Sequence, residues 1–144
     1  MPPSQLELEI TEAALVNASE SESEVMDALK TLGVMISVDD FGTGVSTLSY
    51  LKQFPVDTLK LDPALIRNLP RDREDGAIVS AVIKLAGDLR IRVVAEGVES
   101  FEQLSFLQTT PCDFVQGFLF SEPVRADKFE PLLQNRKQPG QFFH

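Results

Sequence analysis

Five short apolar runs, near residues 8, 37, 59, 94 and 115, recur along the chain with amphipathic stretches between them. Separations of about 20 to 35 residues are the rhythm of repeated strand–helix units, because a parallel strand can return only through a long crossover. The runs are QLELEI (5–10), VMISVDD (34–40), DTLKLD (57–62), RVVAEG (92–97) and DFVQGF (113–118). A helix is expected over roughly 22–32, capped by Ser21 or Ser23, striped by Val25, Met26, Leu29 and Leu32, and stopped by Gly33. Val45, Leu48 and Leu51 predict a short helix closed by Pro55, and Ile78, Val79, Val82, Ile83 and Leu85 the buried side of a long one over 72–89. A capped helix over 100–108 turns Phe101, Leu104 and Leu107 inward, and a last helix covers 126–133. No Gly-, Pro- or Ser-rich linker divides the chain, so residues 1–134 form one unit and NRKQPGQFFH (135–144) a tail.

The polar residues follow the same rhythm. Glu9, Asp39 and Asp40, Lys60, Glu96 and Gln116 each fall at or near the carboxyl end of a different run. In (β/α) barrels that rim is where chemistry sits, since only there can residues from separate strands converge. The expected fold is therefore α/β of the TIM-barrel type, here an incomplete barrel of about five parallel strands with helices. Taken alone, Lys60 between two leucines could face solvent as the polar half of an alternation or face a site. VDDFGTG (38–44) likewise fits a solvated turn or a cation site, since adjacent carboxylates ending a buried strand repel each other and lose hydration. Its DFG is no kinase motif, because no glycine-rich loop, strand Lys or HRD loop accompanies it.

Carboxylates, an amide and a lysine on one rim suit Mg²⁺ or Mn²⁺, which prefer oxygen ligands. Two such ions can activate a water and neutralise a phosphoryl oxygen during in-line displacement. A nearby lysine would orient that water, accept its proton, or stabilise developing charge. The chain has one Cys and one His, which disfavours zinc and any Ser or Cys nucleophile needing a partner histidine. Receiver domains also place paired acids and a Lys at strand ends, but the acids lie on the first strand and the Lys on the last, unlike here. A net charge of −9 disfavours nucleic acid and anionic membranes as partners. No apolar run approaches the roughly 18 residues of a membrane span. The single Cys112 excludes an internal disulfide and fits a reducing cytosol.

LEIT-E around Glu9 and Glu12, VDDFGTG (38–44), FPVDTLKLD (54–62), VVAEGVES (93–100) and CDFVQGFLFSEP (112–123) together resemble the carboxyl-terminal part of an EAL domain, the cyclic di-GMP phosphodiesterase module of bacterial signalling proteins. The resemblance covers nearly the whole chain in the family's order and spacing. It implies a cytoplasmic bacterial protein that opens cyclic di-GMP to linear pGpG. By that resemblance Glu9 is similar to the metal-binding glutamate of the ExTE motif, and Glu12 to its companion that steadies the loop after the central strand. Asp39 corresponds to the aspartate that bridges two metals and Asp40 to the one that serves the second. Lys60 is similar to the lysine that positions or deprotonates the attacking water, and Glu96 to a further ligand of metal or metal-bound water. Glu99 matches a supporting residue and Gln116 the glutamine near the catalytic water. The loop through Phe41, Gly42, Thr43 and Gly44 to Ser49 resembles the flexible loop that couples substrate and metal binding to dimerisation.

Three departures shape the expectation. The Glu-Ala-Leu tripeptide and the asparagine-bearing strand after it, both ligands to the first metal, have no counterpart in this sequence and would lie upstream of Met1. PPSQLELE reads like the middle of a domain, so a shortened gene product, an internal start or a deliberate fragment is expected, with weak or no hydrolysis. Val45 and Phe118 stand where the family usually has Tyr, and Glu122 where it often has a basic residue. Open sheet edges predict self-association, association with a complementary EAL segment, or marginal stability. The alternative to an enzyme is a module that binds cyclic di-GMP or a protein partner without turnover.

Overall fold

The computed structural model describes residues 1–42 and 50–134. Five parallel strands form one sheet in the order of the chain: β1 (Glu7–Thr11), β2 (Met35–Phe41), β3 (Thr58–Leu61), β4 (Arg92–Ala95) and β5 (Phe114–Val115). Each crossover is helical: α1 (Glu12–Val16) and α2 (Glu20–Thr31), then α3 (Tyr50–Gln53), then α4 (Pro63–Ile66) and α5 (Arg73–Asp88), then α6 (Phe101–Gln108). A closing helix, α7 (Ala126–Gln134), follows β5. This is the incomplete parallel α/β sheet that the spacing predicts. The expected short helix begins later, at Tyr50, and Val45 and Leu48 lie outside the described residues. So does the tail, 135–144.

Strand alternation divides the sheet into two chemically different faces. Ile36, Val38, Leu59, Leu61, Val93 and Ala95 are buried beneath the helices, against Val79, Ile83 and Ala86 of α5 and Leu104 and Leu107 of α6. The opposite face carries Glu9, Ser37, Thr58 and Arg92 at neighbouring register positions, with Lys60 and Val94 one step above. Lys60 therefore faces inward on a polar sheet surface.

The helix stripes are narrower than the periodicity predicts. In α5 the buried positions are Gly76, Val79, Ile83 and Ala86, so Ile78, about 100° around the helix from Val79, is 48% exposed. In α2 only Met26 is buried, Val25 and Leu32 are exposed, and the helix starts at Glu20 behind a capping box of Ser19 and Glu22 rather than Ser21 or Ser23. In α6 the inward place expected of Phe101 goes to Gln103, whose Nε2 donates to the carbonyls of Ile66 and Arg67 and ties α6 to the end of α4. Two short helices escape the periodicity altogether, although Thr11 caps α1 and Asp62 followed by Pro63 caps α4.

The amino-terminal end of the sheet is fastened by two equivalent carboxylates. Asp57, just before β3, accepts the Ile36 N–H at 2.8 Å and pairs with Lys30 of α2. Asp113, just before β5, accepts the Val93 N–H at 2.8 Å. Each bond locks one strand to its neighbour in register at the end opposite the rim. No helix among the described residues is long and apolar enough to cross a membrane.

Candidate functional site

At the carboxyl rim, β1, β2, β3 and β4 deliver side chains to one point. The Lys60 ammonium lies 2.8 Å from Glu9 Oε1, 2.9 Å from Glu96 Oε1 and 3.6 Å from Asp39 Oδ1. Glu9 is half-exposed, whereas Lys60 and Glu96 are largely buried. Burial alone would push the Lys60 ammonium down. Hydrogen bonds to Glu9 and Glu96 and the fields of Glu96 and Asp39 outweigh it and hold the group above its ordinary value. Three carboxylates against one ammonium leave two formal negative charges in this cluster.

The end of β2 supplies its acids through an irregular backbone. Register between β2 and β3 shifts between Val38 and Phe41, and Asp40 takes a left-handed φ of 56° there. Asp39 reaches the cluster. Asp40 is exposed one residue beyond it and makes no ion pair with Lys60. Phe41 is buried in the core, and Gly42 turns at φ 101° where a Cβ would strike Leu65. The buried Glu12, in the first turn of α1, accepts the Gly42 N–H at 3.0 Å and so holds the start of this turn. Thr43 and Gly44 lie outside the described residues.

Gln116, just past β5, lines a cavity of about 200 Å³ together with Glu7, Glu9, Thr58, Lys60 and Arg92. Glu99 is exposed, and its N–H donates to Gln103 within the cap of α6. The structure thus gathers Glu9, Asp39, Lys60 and Glu96, sets Gln116 on a cavity with Glu9 and Lys60, and leaves Asp40 and Glu99 outside the cluster. Sequence reasoning missed Glu7, Thr58 and Arg92 in the cavity floor, where Arg92 Nη2 donates to Thr58 Oγ1 at 3.0 Å. Their signal was the two-residue alternation: Thr58 sits two positions before Lys60, Glu7 two before Glu9, and Arg92 four before Glu96.

The donor chemistry fits a hard divalent cation. Asp39 Oδ1 is buried without a hydrogen-bond partner, an acceptor left over for a positive charge. Among the described residues no three acids are gathered closely enough to hold an ion by themselves, because the Lys60 ammonium stands between them.

The EAL domain profile matches residues 1–123. Cyclic di-GMP phosphodiesterase NbdA of Pseudomonas aeruginosa is 44% identical over 129 residues, 90% of this chain and 16% of that protein. A solved complex of the PaMucR phosphodiesterase with cyclic di-GMP superposes with a TM-score of 0.84 at 42% identity, over 90% of this chain and 52% of that one. A manganese and cyclic di-GMP complex of Klebsiella pneumoniae BlrP1 superposes with a TM-score of 0.81 at 39% identity, over 85% of this chain and 31% of that one. The chain thus spans about a sixth of the curated relative and about half or less of the solved chains.

Proposed function

The chain belongs to the EAL-domain family of cyclic di-GMP phosphodiesterases, and on that premise we propose that it supplies the lysine, acids and amide of a site that hydrolyses cyclic di-GMP to linear pGpG. The observation that carries this reading is the convergence of Glu9, Asp39 and Glu96 from three strands on the Lys60 ammonium. Those acids, with Asp40, would hold Mg²⁺ or Mn²⁺. Two such ions, when bound, supply Lewis acidity that lowers the pKa of water and neutralises charge on phosphate oxygens.

The chain's own residues do the rest. Water attacks phosphorus in line with the bond to the 3′ oxygen; that bond breaks, the 3′ oxygen takes up a proton, and the phosphate stays on the 5′ side. Lys60, held above its ordinary value by its acids, is an ammonium at neutral pH; it orients the water and stabilises the charge gathering on the phosphoryl oxygens. Gln116 lines the same cavity and offers an amide to that water. Glu12 fixes the turn that presents Asp39 and Asp40.

A second reading is a receptor that binds cyclic di-GMP or a protein partner without turnover. It is favoured by the lack, among the described residues, of three acids gathered to hold an ion. The same observation is why we infer weak hydrolysis from these residues alone, with fuller activity when further ligands come from another copy or a complementary EAL segment. We infer a cytoplasmic setting from the family's intracellular messenger. The deciding experiment is hydrolysis of cyclic di-GMP with Mn²⁺ beside an Asp39→Asn control. Turnover that the control loses supports the enzyme; nucleotide binding without turnover supports the receptor.

A further inference from the structure

We propose that Gly117 is a positioning residue for this site: its missing side chain lets the chain beyond β5 lie against the Val98 backbone, and that contact holds Gln116 and Glu96 in place at the rim, one step past Lys60 in the strand register. The inference rests on the phosphodiesterase reading and adds to it a residue that touches neither nucleotide nor metal.

A Cβ on Gly117 would clash with the amide nitrogen and carbonyl oxygen of Val98 and stand 2.7 Å from its carbonyl carbon. All three are backbone atoms, so no side-chain rotation relieves the overlap. The same two segments are stitched by three hydrogen bonds. Gln116 N–H donates to Ala95 C=O at 2.8 Å, Val98 N–H to Gln116 C=O at 3.0 Å, and Leu119 N–H to Val98 C=O at 3.0 Å. Pairing of β4 with β5 therefore continues past both strands. Glu96 lies two residues before Val98, and Gln116 immediately precedes Gly117. One step around the rim, Gly97 rests on the Pro63 ring, where a Cβ would meet the Pro63 Cβ at 2.6 Å. Pro63 follows Lys60 by three residues. Glu96 and Gln116 are thus flanked by a backbone contact, Gly117 on Val98, and Glu96 is followed by a second glycine contact, Gly97 on the Pro63 ring.

Gly117 is the informative one to alter. Gly97 sits at φ 71°, so any substitution there also strains the backbone, whereas Gly117 is not in that region. Gly87, in α5, has nothing within 4 Å of an added Cβ and gives the control.

Gly117→Ala and Gly87→Ala are compared in the full chain by thermal melting, by kcat and KM for cyclic di-GMP with Mn²⁺, and by the NMR signals of the Glu96 carboxyl and the Gln116 side-chain amide. Gly117→Ala is expected to lower kcat by roughly 10- to 100-fold with KM changed less than about 3-fold, the cost of displacing reacting groups by about an ångström. It is also expected to move both NMR signals, while Gly87→Ala does neither. Equal kinetics in the two variants, or kcat lost only in proportion to the unfolded fraction, overturns the proposal. Should the unaltered chain fold yet show no turnover even with a complementary EAL segment added, the phosphodiesterase reading fails, and the NMR signals alone decide the positioning: moved signals uphold it and unmoved signals overturn it. Should Gly117→Ala fail to fold, amide exchange at Val98 and Leu119 of the unaltered chain decides. Protection like that of the core strands supports a fixed rim contact, and exchange as fast as an exposed loop overturns it.

Discussion

The Lys60 ammonium lies 2.9 Å from Glu96 Oε1 across the β3–β4 boundary, with the two side chains 14% and 15% exposed. Neither partner has enough water to do without the other. Replacing Lys60 with Met should leave Glu96 and Glu9 repelling each other near Asp39. We expect a loss of about 1–2 kcal/mol in denaturant unfolding without added Mn²⁺, and a fall in hydrolysis of about 100-fold or more. Unchanged turnover would remove Lys60 from the chemistry.

Asp39 should separate stability from function. Its Oδ1 is buried without a hydrogen-bond partner and meets Lys60 only at 3.6 Å, so Asp39→Asn gives up one long contact. The expected change in melting without Mn²⁺ is small, within about 1 kcal/mol, while the stabilisation that Mn²⁺ gives the parent chain disappears. Paired melts with and without the ion check both halves.

Glu12→Ala should loosen the turn after β2 by removing the acceptor of the Gly42 N–H. Leaving a donor without its partner at a largely closed site costs about 1–3 kcal/mol, whereas Glu12→Gln keeps an acceptor oxygen and should recover most of it. Amide exchange at Gly42 distinguishes this local release from general destabilisation.

The pH response of the cluster has a definite sign. Lys60 is raised above its ordinary 10.5 in the fold, so its contribution to stability is fully present below that value and is lost only as pH climbs through the higher folded value. The stability difference between the parent chain and Lys60→Met, measured without Mn²⁺, should stay flat from neutral pH to about 10 and shrink above it. A difference that shrinks between pH 7 and 9 would contradict this.

The outer edges of β1 and β5 are unpaired among the described residues, and Phe114, Phe118 and Phe129 stand exposed beside the second. Unpaired edges with apolar neighbours invite pairing between chains. Sedimentation should show concentration-dependent association at micromolar levels, and a stable monomer throughout would contradict it.

Reading the sequence located the strands and the rim because both depend on short-range rules. A run such as DTLKLD must alternate faces, and a parallel sheet must put its strand ends on one side. What escaped depends on long-range packing. Ile78 and Phe101 satisfy the helical period, yet the sheet reaches only a narrow stripe of each helix, and Gln103 takes an inward place by bonding to two carbonyls remote in sequence. The separation of Asp39 from Asp40 was equally hidden, since it follows from a register shift and a left-handed residue. Gly97 and Gly117 were visible as turn signals, but their contacts with Pro63 and Val98 exist only once the strands are side by side.

The paired aspartates at the far end of the sheet act as a gauge. Asp57 is three residues from Lys60, roughly 10 Å along an extended strand, and its bond to Ile36 sets how far β3 is threaded past β2. Asp113 does the same for β5 against β4. A chain that slipped by two residues at that end would keep its hydrophobic face but carry every working group to the wrong height. Variants lost from a screen for turnover should therefore include positions far from any nucleotide, whose role is to measure length.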